Sequence, residues 1–368
     1  MPGHAKEELD LRILEALGVY GPRNLTTVAR KLRLNANSLR KRIKRRLLPK
    51  IFLNINIYHT NLGLRKCVVF ASAFDGKEEL LYESLKTHDF WIYDSRCYGA
   101  FEGCIAIYVV PVGRENDFRK FLHELDKRGI AKKLRFFWST CFETVNPTRN
   151  WFDAKSKQWV FMWDKWIEEI SAEEIKLPKT LIDPKEYPQK ADYIDVFILK
   201  ELEIDATISF SEIAKKLNLN KTTIKYHFEN HILKYGLMES FQIISYPFDK
   251  EKSDCSFFTF WFQTEEDMAR FARSLLDKPF TRSMGKVFGK NALVVQLYLP
   301  RLEFRKFIDA IGVLHRRGLL KRHWYVIQDW RKMRRDAIPF QLFSDGEWKY
   351  DQDRYLSQLD DIEKKMLD

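Results

Sequence analysis

The chain has 368 residues, with 63 Lys or Arg against 51 Asp or Glu for a net charge of +12, and 45% of its residues are hydrophobic. That is enough chain for two domains or more with real cores, and the basic balance favours a polyanionic partner. The longest uncharged apolar run, residues 104–113, is about half of the roughly 20 residues a spanning helix needs, and MPGHAKEELD lacks a signal peptide's apolar core, so no membrane partner is expected and the protein is placed in the cytoplasm with the nucleoid.

In chain order, Leu9, Ile13, Leu14 and Leu17 stripe a first helix, and Thr26 is placed to cap a second whose inward face is Val28, Ala29 and Leu32. Arg33-Leu34-Asn35 makes a tight turn into a third helix, packed inward by Leu39, Ile43 and Leu47. That leaves Asn37, Ser38, Arg40, Lys41, Lys44 and Arg45 facing outward. Between Asn35 and Lys50 there are seven Lys or Arg and no acid. A run of charge on a helix is more often its solvated face, but such faces usually mix signs, whereas this one offers only cations to phosphates and donors to base edges. The alternating Lys50 to Ile57 adds a strand, completing a winged helix.

After a hinge at residues 58–66, strands at Val68–Ala73, Ile92–Tyr98, Cys104–Val110 and Lys132–Ser139 alternate with helices at Lys77–Lys86 and around Phe118–Leu125. This βαββαβ order is the ferredoxin-like pattern. Trp159, Trp163, Trp166 and Ile170 then fall on one helical face; interleaved with acids, they read as packing rather than as a stacking platform for bases. Leu177 to Gln189, with three prolines, marks a domain boundary.

The second half repeats the first. Ala214 to Asn220 matches the pattern of Ala29 to Asn35, and Phe304-Arg305-Lys306-Phe307 matches Phe118-Arg119-Lys120-Phe121, offsets of 185 and 186 residues that duplication explains. The expected architecture is therefore α+β, two copies of a winged helix-turn-helix followed by a ferredoxin-like unit. Its boundaries are 1–57, 58–66, 67–145, 146–190, 191–246, 247–330 and 331–368. In the last of these, residues 345–368 hold eight acids against four Lys or Arg and read as a docked or fraying helix that repels DNA.

Cys67, Cys97, Cys104, Cys141 and Cys255 are odd in number and scattered, which supports neither a zinc knuckle nor a disulfide framework; they read as small buried hydrophobes. No metal site, cofactor or catalytic residue is expected, and no nucleotide-binding glycine loop is present.

A winged helix, a Leu62-Gly63-Leu64 hinge and a βαββαβ unit together resemble the Lrp/AsnC (feast/famine) family of transcription regulators. The resemblance implies double-stranded DNA as partner. It places recognition helices at Asn37–Arg46 and at Lys221–His231, with Lys221, Thr222, Thr223, Lys225 and Tyr226 as the second set of contacts. It also implies dimerisation through the sheet units, either as a homodimer or as a pseudo-dimer within one chain, and in many members an effector at that interface. The family's Gly-x-x-Asp hairpin is matched only loosely by Gly99-Ala100-Phe101-Glu102 and by Gly285-Lys286-Val287-Phe288. The expected function is a non-enzymatic regulator whose first winged helix supplies most of the affinity. The alternatives are an architectural DNA protein and a siroheme decarboxylase-type enzyme, which the resemblance also reaches. The last is set aside because neither residues 92–110 nor 280–299 contain a histidine.

Overall fold

The computed structural model describes residues 4–172 and 175–367; residues 1–3 of the expected first domain, 173–174 of the expected linker and 368 of the expected tail lie outside the described residues. In the first half, α1 (His4–Tyr20), α2 (Leu25–Leu32) and α3 (Ala36–Arg42) lead into β1 (Phe52–Ile57). Val28, Ala29, Leu39, Ile43 and Leu47 are buried with Ile13 and Leu17 of α1 in one core. The expected Thr26 cap is not formed. Helix α2 begins behind Asn24, whose side chain makes no cap bond, whereas Asn35 caps α3 by accepting from the N–H groups of Asn37 and Ser38.

The ferredoxin-like unit follows as β2 (Leu64–Ala73), α4 (Glu78–Leu85), β3 (Trp91–Gly99), β4 (Gly103–Pro111), α5 (Glu115–Lys127) and β5 (Ala131–Ser139). Three two-residue strands, β6 (Glu143–Thr144), β7 (Phe152–Asp153) and β8 (Gln158–Trp159), precede α6 (Trp163–Ala172). Trp159 therefore lies in a small hairpin and not on the helix, whose buried face is Trp163, Trp166, Ile167 and Ile170.

The same order recurs as α7 (Tyr193–Ile204), α8 (Phe210–Leu217), α9 (Lys221–Tyr226), β9 (Met238–Ile244), β10 (Ser253–Phe262), α10 (Glu265–Ser274), β11 (Thr281–Lys286), β12 (Ala292–Pro300), α11 (Arg301–Arg316) and β13 (Leu320–Arg335). A hairpin of β14 (Phe343–Ser344) and β15 (Glu347–Trp348) and the helix α12 (Gln352–Leu367) end the chain. Strand β13 runs well beyond Gln328, where the alternation of apolar residues stops. After a register shift its charged end, Met333 to Arg335, pairs with Tyr93 to Ser95 of β3, so ladder hydrogen bonds rather than burial carry it.

One sheet joins both halves in the order β5-β2-β4-β3-β13-β10-β12-β11-β6, and its ends meet where Phe288 N–H donates to the Trp138 carbonyl at 2.8 Å. Strand alternation sorts its residues. Val68 and Phe70 face inward with Phe257, Val294 and Trp324 of the other half, whereas Cys67, Val69 and Ala71 face the helices α4 and α5. Phe70 meets Trp324 edge-on at 4.6 Å. All five cysteines are buried. The two glycines of the loosely matched hairpins serve close approach: a Cβ on Gly285 would stand 2.3 Å from the Phe142 ring, and Gly99, at φ +120°, lies where β3 crosses the Tyr325 carbonyl of β13.

The wings pair with each other, Phe52 opposite Ile244 through Asn56 opposite Ser240. Helix α1 packs on β9 and α7 packs on β1. The tails also cross: α6, which follows the first unit, packs on α10 and α11, while α12 packs on α4 and α5.

Candidate functional site

Between the paired wings and the inner face of the sheet lies a partly enclosed cavity of about 230 Å³, lined among others by Asn56 and Gln242 of the wings and by Lys66, Tyr93, Gln296 and Arg335. Its position follows from local rules. Lys66 is in phase with Leu64, Val68 and Phe70 on β2, so the pleat turns it to the inner face, at the end nearest the wings. His59 stands on the short turn that joins wing to sheet, and the charged end of β13 brings Arg335 to the same space.

Lys66 is 6% exposed. Its ammonium makes no ion pair among the described residues and lies 4.7 Å from the Phe142 ring centroid. Burial lowers its pKa, and Arg335 acts in the same direction; Cys141, Glu203 and Glu239 oppose them. His59 is 2% exposed, and among the described residues neither ring nitrogen reaches a partner in good hydrogen-bond geometry; the Ile57 backbone is the polar group that acts on the ring. Burial first, and the Lys66 charge second, hold its pKa well below 6.5, so the imidazole is neutral at physiological pH.

Glu203, at the end of α7, accepts from the Ile338 N–H at 2.7 Å, and burial raises its pKa against the pull of Arg335. On the far side of Asn56, which donates to its carboxylate, Glu239 is pushed up to about 8 by burial and by the charge and hydrogen bond of Glu143. Of the arginines around the cavity, Arg334 is committed to the fold. It binds the fully buried Asp94 through Nε at 2.9 Å and Nη2 at 2.6 Å, reaches Glu83, and lies 3.6 Å over the Tyr82 ring. Arg282 has no carboxylate partner among the described residues; it donates to the Ser245 carbonyl and lies 4.9 Å over the Tyr246 ring. Arg335 is exposed beside the amide of Asn54.

None of the residues expected to touch DNA lines this cavity. Asn37, Ser38, Arg40, Lys41, Lys44 and Arg45 are all exposed on α3 and the turn after it, while Arg42 and Arg46 are drawn back to Asp10. In the second copy Lys221, Thr222, Lys225 and Tyr226 are exposed and Thr223 is half-buried. His227 and His231, in the C-terminal part of the expected recognition helix, turn inward to Asp195. The cavity instead gathers Lys66 and His59, which the reading of the sequence did not single out. Lys66 and His59 were missed because a lysine in a strand and a histidine in a hinge carry no spacing signal. The hairpins do lack histidine, and the imidazole at this cavity comes from the wing-to-sheet turn.

Residues 192–230 match the family model for winged helix-turn-helix DNA-binding domains. No curated protein matches the chain. Among solved structures the chain is similar to the siroheme decarboxylase NirDL, with a TM-score of 0.54 and 10% identity over 97% of this chain and 99% of that one. It is also similar over shorter spans to PH0061 (TM-score 0.34, 20% identity, 40% of this chain and 98% of that one) and to AsnC of E. coli (0.26, 16%, 37% and 91%). The likeness to NirDL overturns the expectation of a regulator without enzymatic activity, because the fold found along the whole chain is one on which an enzyme is built. At 10% identity it shows the fold and leaves the chemistry to the residues. The chain thus carries a winged helix-turn-helix domain at residues 192–230, inside a mixed α+β fold that resembles that of NirDL over 97% of this chain.

Proposed function

We propose that this chain is an enzyme that removes a carboxyl group from a tetrapyrrole-type substrate held between the paired wings and the sheet. The observation that carries the reading is the buried Lys66 ammonium, without a carboxylate partner among the described residues, in one cavity with a buried neutral imidazole. A buried charge left unpaired costs several kcal/mol, and a substrate carboxylate supplies the missing counter-ion. The likeness to NirDL supports the choice of substrate class.

Arg282 and Arg335, with no carboxylate partner within ion-pair distance among the described residues, draw the acid side chain in, and Lys66 pairs with it. The bond between the carboxylate and its neighbouring carbon breaks, CO2 departs, and the electron pair passes into the conjugated ring. The carbon then takes a proton. Lys66, its pKa lowered by burial, is the donor; solvent entering the partly enclosed cavity returns a proton to it, and His59, neutral beside it, adds no competing charge.

The test titrates the protein with iron-uroporphyrin III, following the Soret band and then CO2 loss by mass spectrometry. Saturable binding is expected in the wild type, weakened about tenfold or more in Arg282→Ala/Arg335→Ala. Lys66→Met is expected to abolish CO2 loss while raising the unfolding midpoint, since it removes a buried unpaired charge. Absence of a Soret change in the wild type, or full turnover by the methionine variant, ends the proposal.

The recurring element order and the matches at 29–35 with 214–220 and 118–121 with 304–307 support a further part of this reading, that the two halves descend from one duplicated unit. The family match carries a second reading, with duplex DNA as a partner of residues 192–230. Lys221, Thr222, Thr223, Lys225 and Tyr226 are its contacts, and Asn37, Ser38, Arg40, Lys41, Lys44 and Arg45 form the equivalent face of the first copy. Anisotropy of a labelled duplex checks it: Lys221→Ala/Lys225→Ala is expected to weaken binding and flatten its salt dependence, and unchanged binding counts against it.

A further inference from the structure

Away from the cavity, four side chains of the second winged helix converge. Asp192 and Asp195 belong to the capping box of α7, with the Asp192 side chain accepting from the Asp195 N–H and the Asp195 side chain accepting from the Asp192 N–H. His227 and His231 come from the other end of the domain. There α9 gives way to a π turn over His227–Leu233, which carries more residues per turn than an α-helix and so stacks side chains four or five apart. The two rings lie 4.6 Å apart, between the rings of Tyr226 and Tyr235.

The Nδ1 of His227 is 2.8 Å from Asp195 Oδ1 and 3.5 Å from Asp192 Oδ2. The Nδ1 of His231 is 3.1 Å from Asp195 Oδ2 and 3.6 Å from Asp192 Oδ2. All four ligand atoms lie within 4.8 Å of one another. A tetrahedral ion with bonds of about 2.0–2.1 Å has ligand-to-ligand edges of about 3.3 Å, so the four side chains already stand near the corners such an ion requires. Burial is graded as a metal site needs it, with the Asp195 side chain 0% exposed, His227 10%, His231 22% and Asp192 48%. The inner ligands are fixed and the outermost opens a path to solvent.

The geometry points to a site for one divalent transition-metal ion of the zinc class, ligated by Asp192, Asp195, His227 and His231. Two carboxylates balance the charge of a divalent ion while both imidazoles are neutral, and the imidazole nitrogens select against calcium and magnesium, which take oxygen ligands. An ion held there staples the start of α7 to the turn that ends α9 and so fixes the angle at which α9 is presented. This inference does not rest on the proposed decarboxylation, which uses none of these residues.

Cobalt(II) is the probe, because a tetrahedral nitrogen and oxygen site gives it an intense visible band. The full chain, stripped with a chelator, is titrated with cobalt(II), and zinc(II) then displaces it. One equivalent per chain is expected, with the band bleached by zinc. His227→Ala/His231→Ala is expected to weaken binding by about 100-fold or more. Asp192→Asn keeps a good helix cap while removing one charge, so it separates ligation from folding; the band is expected to weaken while the far-ultraviolet circular dichroism is unchanged. A wild-type protein that gives no band at equimolar cobalt, or a double-histidine variant that keeps it, overturns the assignment and leaves the cluster as hydrogen bonds between Asp195 and two imidazoles.

Discussion

At the scale of single residues, the region where wings and sheet meet is built from groups held away from their ordinary protonation states. Glu239 shows the consequence for stability. Its folded-state pKa, raised to about 8 from 4.5 by burial and by Glu143, means that the folded protein binds a proton more tightly than the unfolded chain. The stability this contributes is fully present below about pH 4.5 and is lost as pH rises through about 8. Glu239→Gln, which cannot ionise, is therefore expected to flatten urea-denaturation stability across that window. It should also leave the variant more stable than the wild type by several kcal/mol above pH 8. An unchanged slope would mean that the fold does not hold Glu239 in its protonated form. The cysteines differ, since they are simply buried. Burial pushes Cys255 up to about 12, which keeps it a thiol, as its reading as a small hydrophobe requires.

At the scale of elements, periodicity is a good guide where an apolar face meets a core and a poor one where it does not. Helix α5, with Phe118, Phe121, Leu122 and Leu125 buried, lies where its stripe places it. In strand β13 charged residues end the alternation at Gln328, yet its last residues are held by β3 and deliver Arg335 to the cavity. Helix α12 is the instructive case, with a thin stripe in an acidic segment. Tyr355 and Leu359 are both 0% exposed, and Tyr355 stacks 4.3 Å from His88, whose pKa burial lowers to about 3. Arg128 pins the same helix through Asp360 and Glu363. Tyr355→Ala is expected to cost about 3–5 kcal/mol by chemical denaturation, the range for emptying a large aromatic site, whereas a frayed helix would give a loss near zero.

At the scale of the whole molecule, the two halves are interlocked: β1 pairs with β9, β3 with β13 and β6 with β11, and each tail helix packs on the other half's helices. Because residues of both halves share one core, neither half is expected to keep its core when the other unfolds. Tryptophan fluorescence and far-ultraviolet circular dichroism are therefore expected to report one coincident urea transition for the full chain. Two resolved transitions would show that the halves fold independently. The same interlocking explains why the cavity has no counterpart in sequence. Its walls come from residues 56, 66, 93, 242, 296 and 335, which share no element and no spacing.

The sequence by itself determined what depends on near neighbours. Helices with one apolar stripe, strands with alternation, the turn residues between them and the recurrence of both patterns at offsets of 185 and 186 residues are local regularities, and each imposes its element wherever the chain goes. Only the tertiary structure decided which faces meet. It turned Lys66 inward without a counter-ion, set His59 beside it, and drew His227 and His231 away from solvent to Asp192 and Asp195. The physical reason is that the charge state and partners of a titratable group are fixed by burial and by groups distant in sequence, and neither leaves a period to read.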